Sequence, residues 1–300
     1  MEWLNYHHLL YFWTVVKEGG VSRAAEKLRL AQPTVSAQVK LLEEMVGDKL
    51  FERQGRRLVL TESGRLVHRY ADEIFGIGRE LLETLRGRPS GARPIQLTVG
   101  VANTVPKLII HRLLQPAFSS GQPVRLICRE DSTEALLAEL ASHALDAVFT
   151  DRPAPPHIRV KVFSHLLGES DTTFFAAGPL VTKLRRRFPR SLNDAALLLP
   201  TPGSAHRADL DQWFEKEDLH PRVIAEFDDS ALMKTFGQGG GAVFPAPTVI
   251  AREVARQYGV HPIGRVTALR ERYYVVSAER RLKHPAVLAI TTAARHELFG

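Results

Sequence analysis

The stretch Gly87-Arg88-Pro89-Ser90-Gly91-Ala92-Arg93-Pro94 constrains this chain most, because two prolines and two glycines in eight residues cannot continue a helix or a sheet core. It predicts a hinge over 87–94 between two parts of unlike character. Before it the pattern is helical, with one short basic interruption around Leu50 to Leu60. After it, β-prone runs at Ile95 to Val101, Val124 to Cys128 and Ala147 to Phe149 alternate with helical runs at Pro106 to Phe118 and Thr133 to Ser142. That alternation predicts an α/β domain with a parallel sheet. A chain of 300 residues has room for both parts.

From Val21 to Lys40 the chain reads as two short helices broken near Leu30. Ser22 is the expected N-cap of the first, and Ala24, Ala25 and Leu28 form its inner face, small enough for close helix packing. Pro33 suits the first turn of the second helix, where its missing N–H costs nothing. Val35, Val39 and Leu42 fall at i, i+4 and i+7 and predict a core-facing stripe. The other face carries Thr34, Gln38 and Leu41, bordered by Ser36, Ala37 and Lys40. The spacing fits a helix-turn-helix with a polar recognition face, though any αα-hairpin rich in alanine shows it too. The next segment favours the first alternative. Leu50 to Leu60 reads as two short β arms around Gln54-Gly55, bringing Arg53, Arg56 and Arg57 together as a wing. Guanidinium groups so placed can meet phosphates or enter a minor groove; the other reading is a solvated charged turn.

Thr61 caps a long helical run ending near Arg86. Within it Val67, Tyr70, Ile74, Ile77 and Leu81 repeat at spacings of three and four, the pattern of a coiled-coil seam through which two subunits pair. A dimer presents two recognition helices to two half-sites about 34 Å apart.

These residues carry a resemblance. Ala24-Ala25, Leu28, Gln32-Pro33-Thr34-Val35-Ser36, Leu42-Glu43, Gly47, Leu50-Phe51, Arg53, Leu60-Thr61 and Gly64 together resemble the signature of LysR-type transcriptional regulators. A narrower resemblance, to NhaR-like activators of sodium/proton antiporter genes, rests on "YHHLLYFWTVVKEG" from Tyr6, "RYADEIF" from Arg69, "EFDDSALMKTFG" from Glu226, "IGRV" from Ile263 and "HPAV" from His284. The implied fold is an N-terminal α-helical winged helix-turn-helix over 1–61, a dimerising linker helix over 62–86, the hinge over 87–94, and a two-lobed α/β periplasmic-binding-protein-like effector domain over 95–300. Its first lobe would take about 95–165 and 267–300, its second about 166–266. The implied partners are double-stranded promoter DNA, a second copy as dimer or dimer of dimers, RNA polymerase, and a small effector, with sodium or lithium as the signal; no cofactor and no membrane partner are expected. Ala37 stands where many members carry arginine, so base reading passes to Gln32, Gln38 and Arg53. A carboxamide can pair with adenine in bidentate fashion. Thr34 and Ser36 suit phosphate or base edges, and Lys40, Arg53, Arg56 and Arg57 suit the backbone.

In the C-terminal part, ligands of such a fold gather at strand ends and helix N-termini. The expected effector residues are therefore Asn103, Thr104, Thr150, Asp151, Thr201, Ser204, Asp228 and Asp229, each of which is also an ordinary turn or cap residue. The two aspartates lead as ligands for a small hard cation, because such an ion prefers oxygen donors. Arg207, beside Ser204, would serve an organic anion instead.

Other classes fit less well. The twelve histidines and the single cysteine, Cys128, form no recognisable metal spacing, nucleophile elbow or phosphate loop, which argues against an enzyme. Gly237-Gln238-Gly239-Gly240-Gly241 lacks the lysine of a P-loop and reads as a turn entering a strand. A solute-binding protein would need no winged module. A nucleoid-packaging DNA binder is the remaining alternative. The lone cysteine and the absence of an export signal predict a cytoplasmic protein. The net charge of +7 points toward a polyanion but is not concentrated in the reader: through Tyr70 there are eleven Lys or Arg against eight Asp or Glu.

Overall fold

The computed structural model describes residues 3–54, 57–85, 94–119, 123–156, 161–202, 204–282 and 284–299. The chain divides into two compact units, Met1–Arg93 with Ser142–Ala144, and Pro94–Ala141 with Leu145–Gly300. Residues 87–93 of the expected hinge lie outside the described residues.

The first unit runs α1 (Tyr6–Glu18), α2 (Val21–Leu28), α3 (Gln32–Val46), β1 (Phe51–Gln54), β2 (Arg57–Leu60) and α4 (Glu62–Leu85). Asn5 caps α1 by accepting the N–H groups of His7 and His8. Only Gly19 and Gly20 separate α1 from α2, so the second helix starts earlier than expected: the Gly20 carbonyl accepts from Ala24 N–H, and Ser22 is already inside the helix. Its hydroxyl donates to Oε1 of Gln32 at 3.3 Å instead of capping. Val35, Val39 and Leu42 are buried with Leu9, Phe12, Ala24 and Ala25, so the stripe faces the core.

The wing is an antiparallel pair, Phe51 opposite Leu60 and Gln54 opposite Arg57. Two side chains fix it to the helices. Glu43 of α3 accepts from Leu50 N–H at 2.9 Å and from Lys49 Nζ at 2.7 Å. Burial raises its pKa, but Lys49 and the Leu50 and Phe51 amides outweigh burial and hold the carboxyl below its usual range. Thr61 accepts Gly64 N–H at 2.9 Å and donates to the Lys49 carbonyl at 2.5 Å, capping α4 and closing the loop before β1.

The expected seam on α4 is divided. Val67 and Ile74 pack in part against this unit's own core, on either side of the fully buried Ala71, whereas Tyr70, Ile77 and Leu81 are exposed. The repeat misses this because the four-residue steps from Val67 through Ala71 follow the face that α1 covers.

The second unit runs β3 (Ile95–Ala102), α5 (Lys107–Phe118), β4 (Val124–Asp131), α6 (Thr133–Ala141), β5 (Ala147–Thr150), β6 (Phe163–Ala176), α7 (Leu180–Arg185), β7 (Ala196–Pro200), α8 (Ala205–Lys216), β8 (Arg222–Phe227), α9 (Ser230–Gln238), β9 (Phe244–Pro247), α10 (Ala251–Tyr258), β10 (His261–Ser277) and α11 (Pro285–Ala293). Among the described residues a six-stranded sheet has the order β4-β3-β5-β10-β6-β9, and β7 pairs β8 separately. Strands β3, β4 and β5 are parallel, as their alternation with helices requires. The long strands β6 and β10 run antiparallel and are shared by both lobes. One half of β10 pairs β5 through Tyr274, Val275 and Val276, while β6 pairs β9 at its other end. Between Val266 and Arg270 the β10–β6 register breaks, where Thr267, Ala268 and Leu269 have no partners opposite them. One apolar core gathers Leu97, Val99, Leu113, Phe149 and Ile290; a second gathers Phe174, Leu197, Trp213, Phe214 and Ile263. Gly237, in the last turn of α9, lies against the Phe244 ring, where an added Cβ would be 2.1 Å away, so this glycine is a packing feature.

Candidate functional site

Two surfaces gather the expected residues, one in each unit. In the first, Gln32, Pro33, Thr34, Ser36 and Lys40 are exposed on α3 and Gln38 is half-buried. No side chain caps α3 and no acidic residue lies in its first turn, so its positive end is open to an anion. Ser22 occupies one lone pair of the Gln32 carbonyl, which keeps a second lone pair and two N–H donors. Lys40 lies 3.9 Å from Glu44, an exposed pair that leaves its charge available. Arg53 is exposed on β1; Arg56 and the side chain of Arg57 lie outside the described residues.

In the same unit, Leu4, Leu9, Val46, Val67, Tyr70 and Ile74 line an almost wholly apolar groove of about 280 Å³. Trp3 and Tyr6 are exposed as well.

In the second unit a cleft of about 810 Å³ opens at the strand ends. Asn103, Thr104, Asp151, Thr201, Ser204 and Asp228 all line it. Two expected residues do not. Thr150 is fully buried and donates to the Arg152 carbonyl at 2.6 Å, which shapes the turn after β5. Asp229 caps α9 by accepting Ala231 N–H at 2.8 Å. Asp228 accepts from the Thr201 hydroxyl, so the two adjacent aspartates serve different neighbours and do not form a joint cation site. Ser204 caps α8 by accepting Arg207 N–H. Arg207 is engaged by Asp211, Glu226 and the Pro200 carbonyl and is not available to an anion.

Sequence reasoning missed the centre of the cleft. Lys234 of α9 is 2% exposed and donates to the Ser230 carbonyl and hydroxyl at 3.0 and 3.1 Å. Burial lowers its pKa to about 8, against the opposing pull of Glu271 and Asp229. Glu271 accepts from Tyr273 at 2.9 Å, and His206 Nε2 lies 3.5 Å from its other oxygen. Burial, with Glu271 and Asp151 nearby, pushes the Tyr273 phenol far up. The one signal in the sequence was that Lys234 sits within a largely apolar helix. Among the described residues, no three His, Cys, Asp or Glu side chains are grouped to hold a metal ion.

The family described as bacterial regulatory helix-turn-helix protein, lysR family, matches residues 6–65, and the LysR substrate binding domain matches 90–298. The chain belongs to the LysR family. It is 38% identical over 300 residues to the transcriptional activator protein NhaR of Escherichia coli (strain K12), covering all of this chain and 98% of that one. Full-length LysR-family structures share the fold. LysG from Corynebacterium glutamicum, with bound effector Arg, has a TM-score of 0.58 at 17% identity, covering 97% of this chain and 98% of that one. Vibrio fischeri DarR in complex with DNA has a TM-score of 0.51 at 18% identity, covering 98% and 99%. The chain is thus a LysR-type, DNA-binding transcriptional regulator close to an activator, not an enzyme, and joins a reader to an effector-binding domain. No helix among the described residues is long and apolar enough to cross a membrane.

Proposed function

We propose that this LysR-family regulator reads promoter DNA with α3 and the wing, pairs with a second copy through α4, and activates transcription under the control of a small effector held in the cleft. The open, uncapped N-terminal turn of α3 beside Gln32 and Thr34 carries the reading. Pairing is supported by the apolar groove and by Ile77 and Leu81, which are 67% and 58% exposed. The boundaries 1–61, 62–86, 87–94 and 95–300 describe reader, linker, hinge and sensor, with the hinge passing a change in lobe arrangement to the spacing of the paired α3 helices. RNA polymerase is the partner through which an activator acts.

The resemblance to NhaR-like activators supports sodium or lithium as the signal. The cleft itself favours a second reading, a small organic effector, because it is large and its carboxylates are dispersed. Footprinting the upstream DNA of its own and neighbouring genes, with and without sodium, tests the first. Protection of dimer length that changes with sodium supports an ion-responsive activator; uniform coating indicates packaging, and no binding rejects both.

Gln32→Ala is expected to change discrimination at one base position by about 1–3 kcal/mol. Arg56→Ala should weaken all sequences alike and lower the salt slope by about 1. Titrations at several salt concentrations separate the two, and an unchanged site preference for Gln32→Ala removes it as a base reader. For pairing, Ile77→Asp with Leu81→Asp is expected to shift the protein to monomer in sedimentation equilibrium; an unaltered mass would place the interface elsewhere.

A further inference from the structure

The charges facing the cleft are not equally satisfied. Its cations have protein partners: Arg270 and Arg272 pair with Glu169 at 3.2 and 2.9 Å, Arg152 lies 3.7 Å from Asp151, and Lys234 is bonded to Ser230. Several of its acceptors lack hydrogen bonds all the same. The Glu271 side chain is 10% exposed; one oxygen takes the Tyr273 hydroxyl, and Oε1 is buried without a hydrogen bond, with His206 Nε2 at 3.5 Å. Asp151 Oδ1, whose charged neighbour is Arg152 Nε at 3.7 Å, and the Thr104 hydroxyl are likewise buried without hydrogen bonds. Leaving a carboxylate oxygen buried and unbonded is costly, so the two carboxylates call for a donor, and a charged donor completes them best, while the ring of His206, whose nitrogens are also buried without hydrogen bonds, stands next to Glu271.

The donor's size also follows. A bare cation needs several oxygens converging within a short radius, whereas these groups line a space of about 810 Å³, and among the described residues no three His, Cys, Asp or Glu side chains are grouped there to hold a metal. A primary ammonium on a carbon chain needs only about two or three acceptors around its nitrogen, fewer than the roughly six or more oxygens of a hard cation, while its chain meets Pro153, Met233 and Pro247 in the same lining.

We propose that the cleft binds a small organic ammonium ion, whose N–H groups meet Oε1 of Glu271 and Oδ1 of Asp151. Asp151 follows β5 and Glu271 lies on β10 just past the register break, so one ammonium contacting both ties the first lobe to the shared strand at its point of irregularity. A ligand that does this binds one lobe arrangement better than others and thereby shifts the population. The inference rests on reading the cleft as the effector site.

The test uses the full-length protein and calorimetric titration with n-butylammonium chloride and with 1,4-diaminobutane, against sodium chloride, lithium chloride and sodium butyrate at equal ionic strength. Saturable binding of the ammonium probes is expected, and of none of the others. Glu271→Gln and Asp151→Asn should each weaken it by about tenfold, the loss expected of one charge-assisted hydrogen bond. Circular dichroism checks each variant's fold; if Glu271→Gln does not fold, Asp151→Asn and Thr104→Val decide. No saturable binding of either ammonium probe, affinity unchanged in the folded variants, or equal saturation by sodium or lithium overturns the proposal. Footprinting of the same preparation keeps the two readings apart: selective DNA protection without ammonium binding rejects this ligand alone, and ammonium binding without protection rejects the regulator reading.

Discussion

Gly64→Ala is expected to lower the stability of the N-terminal unit by about 3 kcal/mol or more and to abolish selective DNA binding at 37 °C. A methyl at this position in the first turn of α4 would lie 2.0 Å from the Leu50 carbonyl oxygen and 2.9 Å from its carbon. Neither atom can yield cheaply. The Leu50 side chain is fully buried, its N–H is held by Glu43, and its carbonyl accepts from Thr61 N–H. Relief therefore requires the loop before β1 to leave α4, which uncouples the wing from α3 and opens the core around Phe12 and Phe51, whose rings lie 5.2 Å apart. Overpacking ordinarily costs about 1–3 kcal/mol, and contact with fixed backbone puts this case at the upper end or beyond. For a unit of this size the transition should fall by about 12 °C or more. Thermal unfolding followed at Trp13 measures it; a shift of less than about 3 °C would show that the loop adapts without leaving the helix.

Lys234→Met is expected to act in the opposite direction, stabilising the effector unit by up to about 3 kcal/mol at pH 7. Lys234 holds a proton with a pKa of about 8 in the folded chain against its ordinary 10.5, chiefly because it is buried. Between those two values the unfolded chain binds the proton and the folded chain does not, so this residue makes stability rise as pH increases from about 8 to 10.5. Below pH 8 the full cost of the buried charge is present, and a shift of this size corresponds to about 3 kcal/mol. The methionine keeps the volume without the charge. Denaturant unfolding of both proteins at pH 7 and pH 10 should show the variant's advantage shrinking at the higher pH. Destabilisation at pH 7 would mean instead that attraction between Lys234 and Glu271, with the bonds to Ser230, outweighs burial.

The reader was legible because its determinants are local. Val35, Val39 and Leu42 declare a helix face by spacing alone, and Pro33, Thr61 and the paired arms of the wing are short-range signals. Ser22 departs from its expected cap for an equally local reason: the two-glycine turn resumes the helix at Val21, two residues earlier than a cap at Ser22 would. The seam on α4 was half legible, since a repeat of three and four cannot distinguish a face covered by α1 from one left for a partner. The cleft was less legible still. Strand ends marked Thr104 and Asp151, but Lys234, His206 and Glu271 come together only because β10 enters between β5 and β6 and slips register beside the cleft. Neither burial of a lysine nor a slipped register leaves a mark within a short window of sequence.

The position of β10 also bears on how the protein is made. The first unit is Met1–Arg93 with Ser142–Ala144, all in the first half of the chain, so this part can fold while synthesis continues. The sheet of the second unit cannot close until Tyr274 to Val276 emerge, because β10 is the strand that joins β5 to β6. Between the emergence of Ala144 and of Tyr274 the nascent chain therefore carries a finished DNA-binding unit and an incomplete sensor. A message truncated before codon 274 would yield a product able to occupy DNA and deaf to any signal, and such fragments should act as dominant interferers when co-expressed with the intact chain.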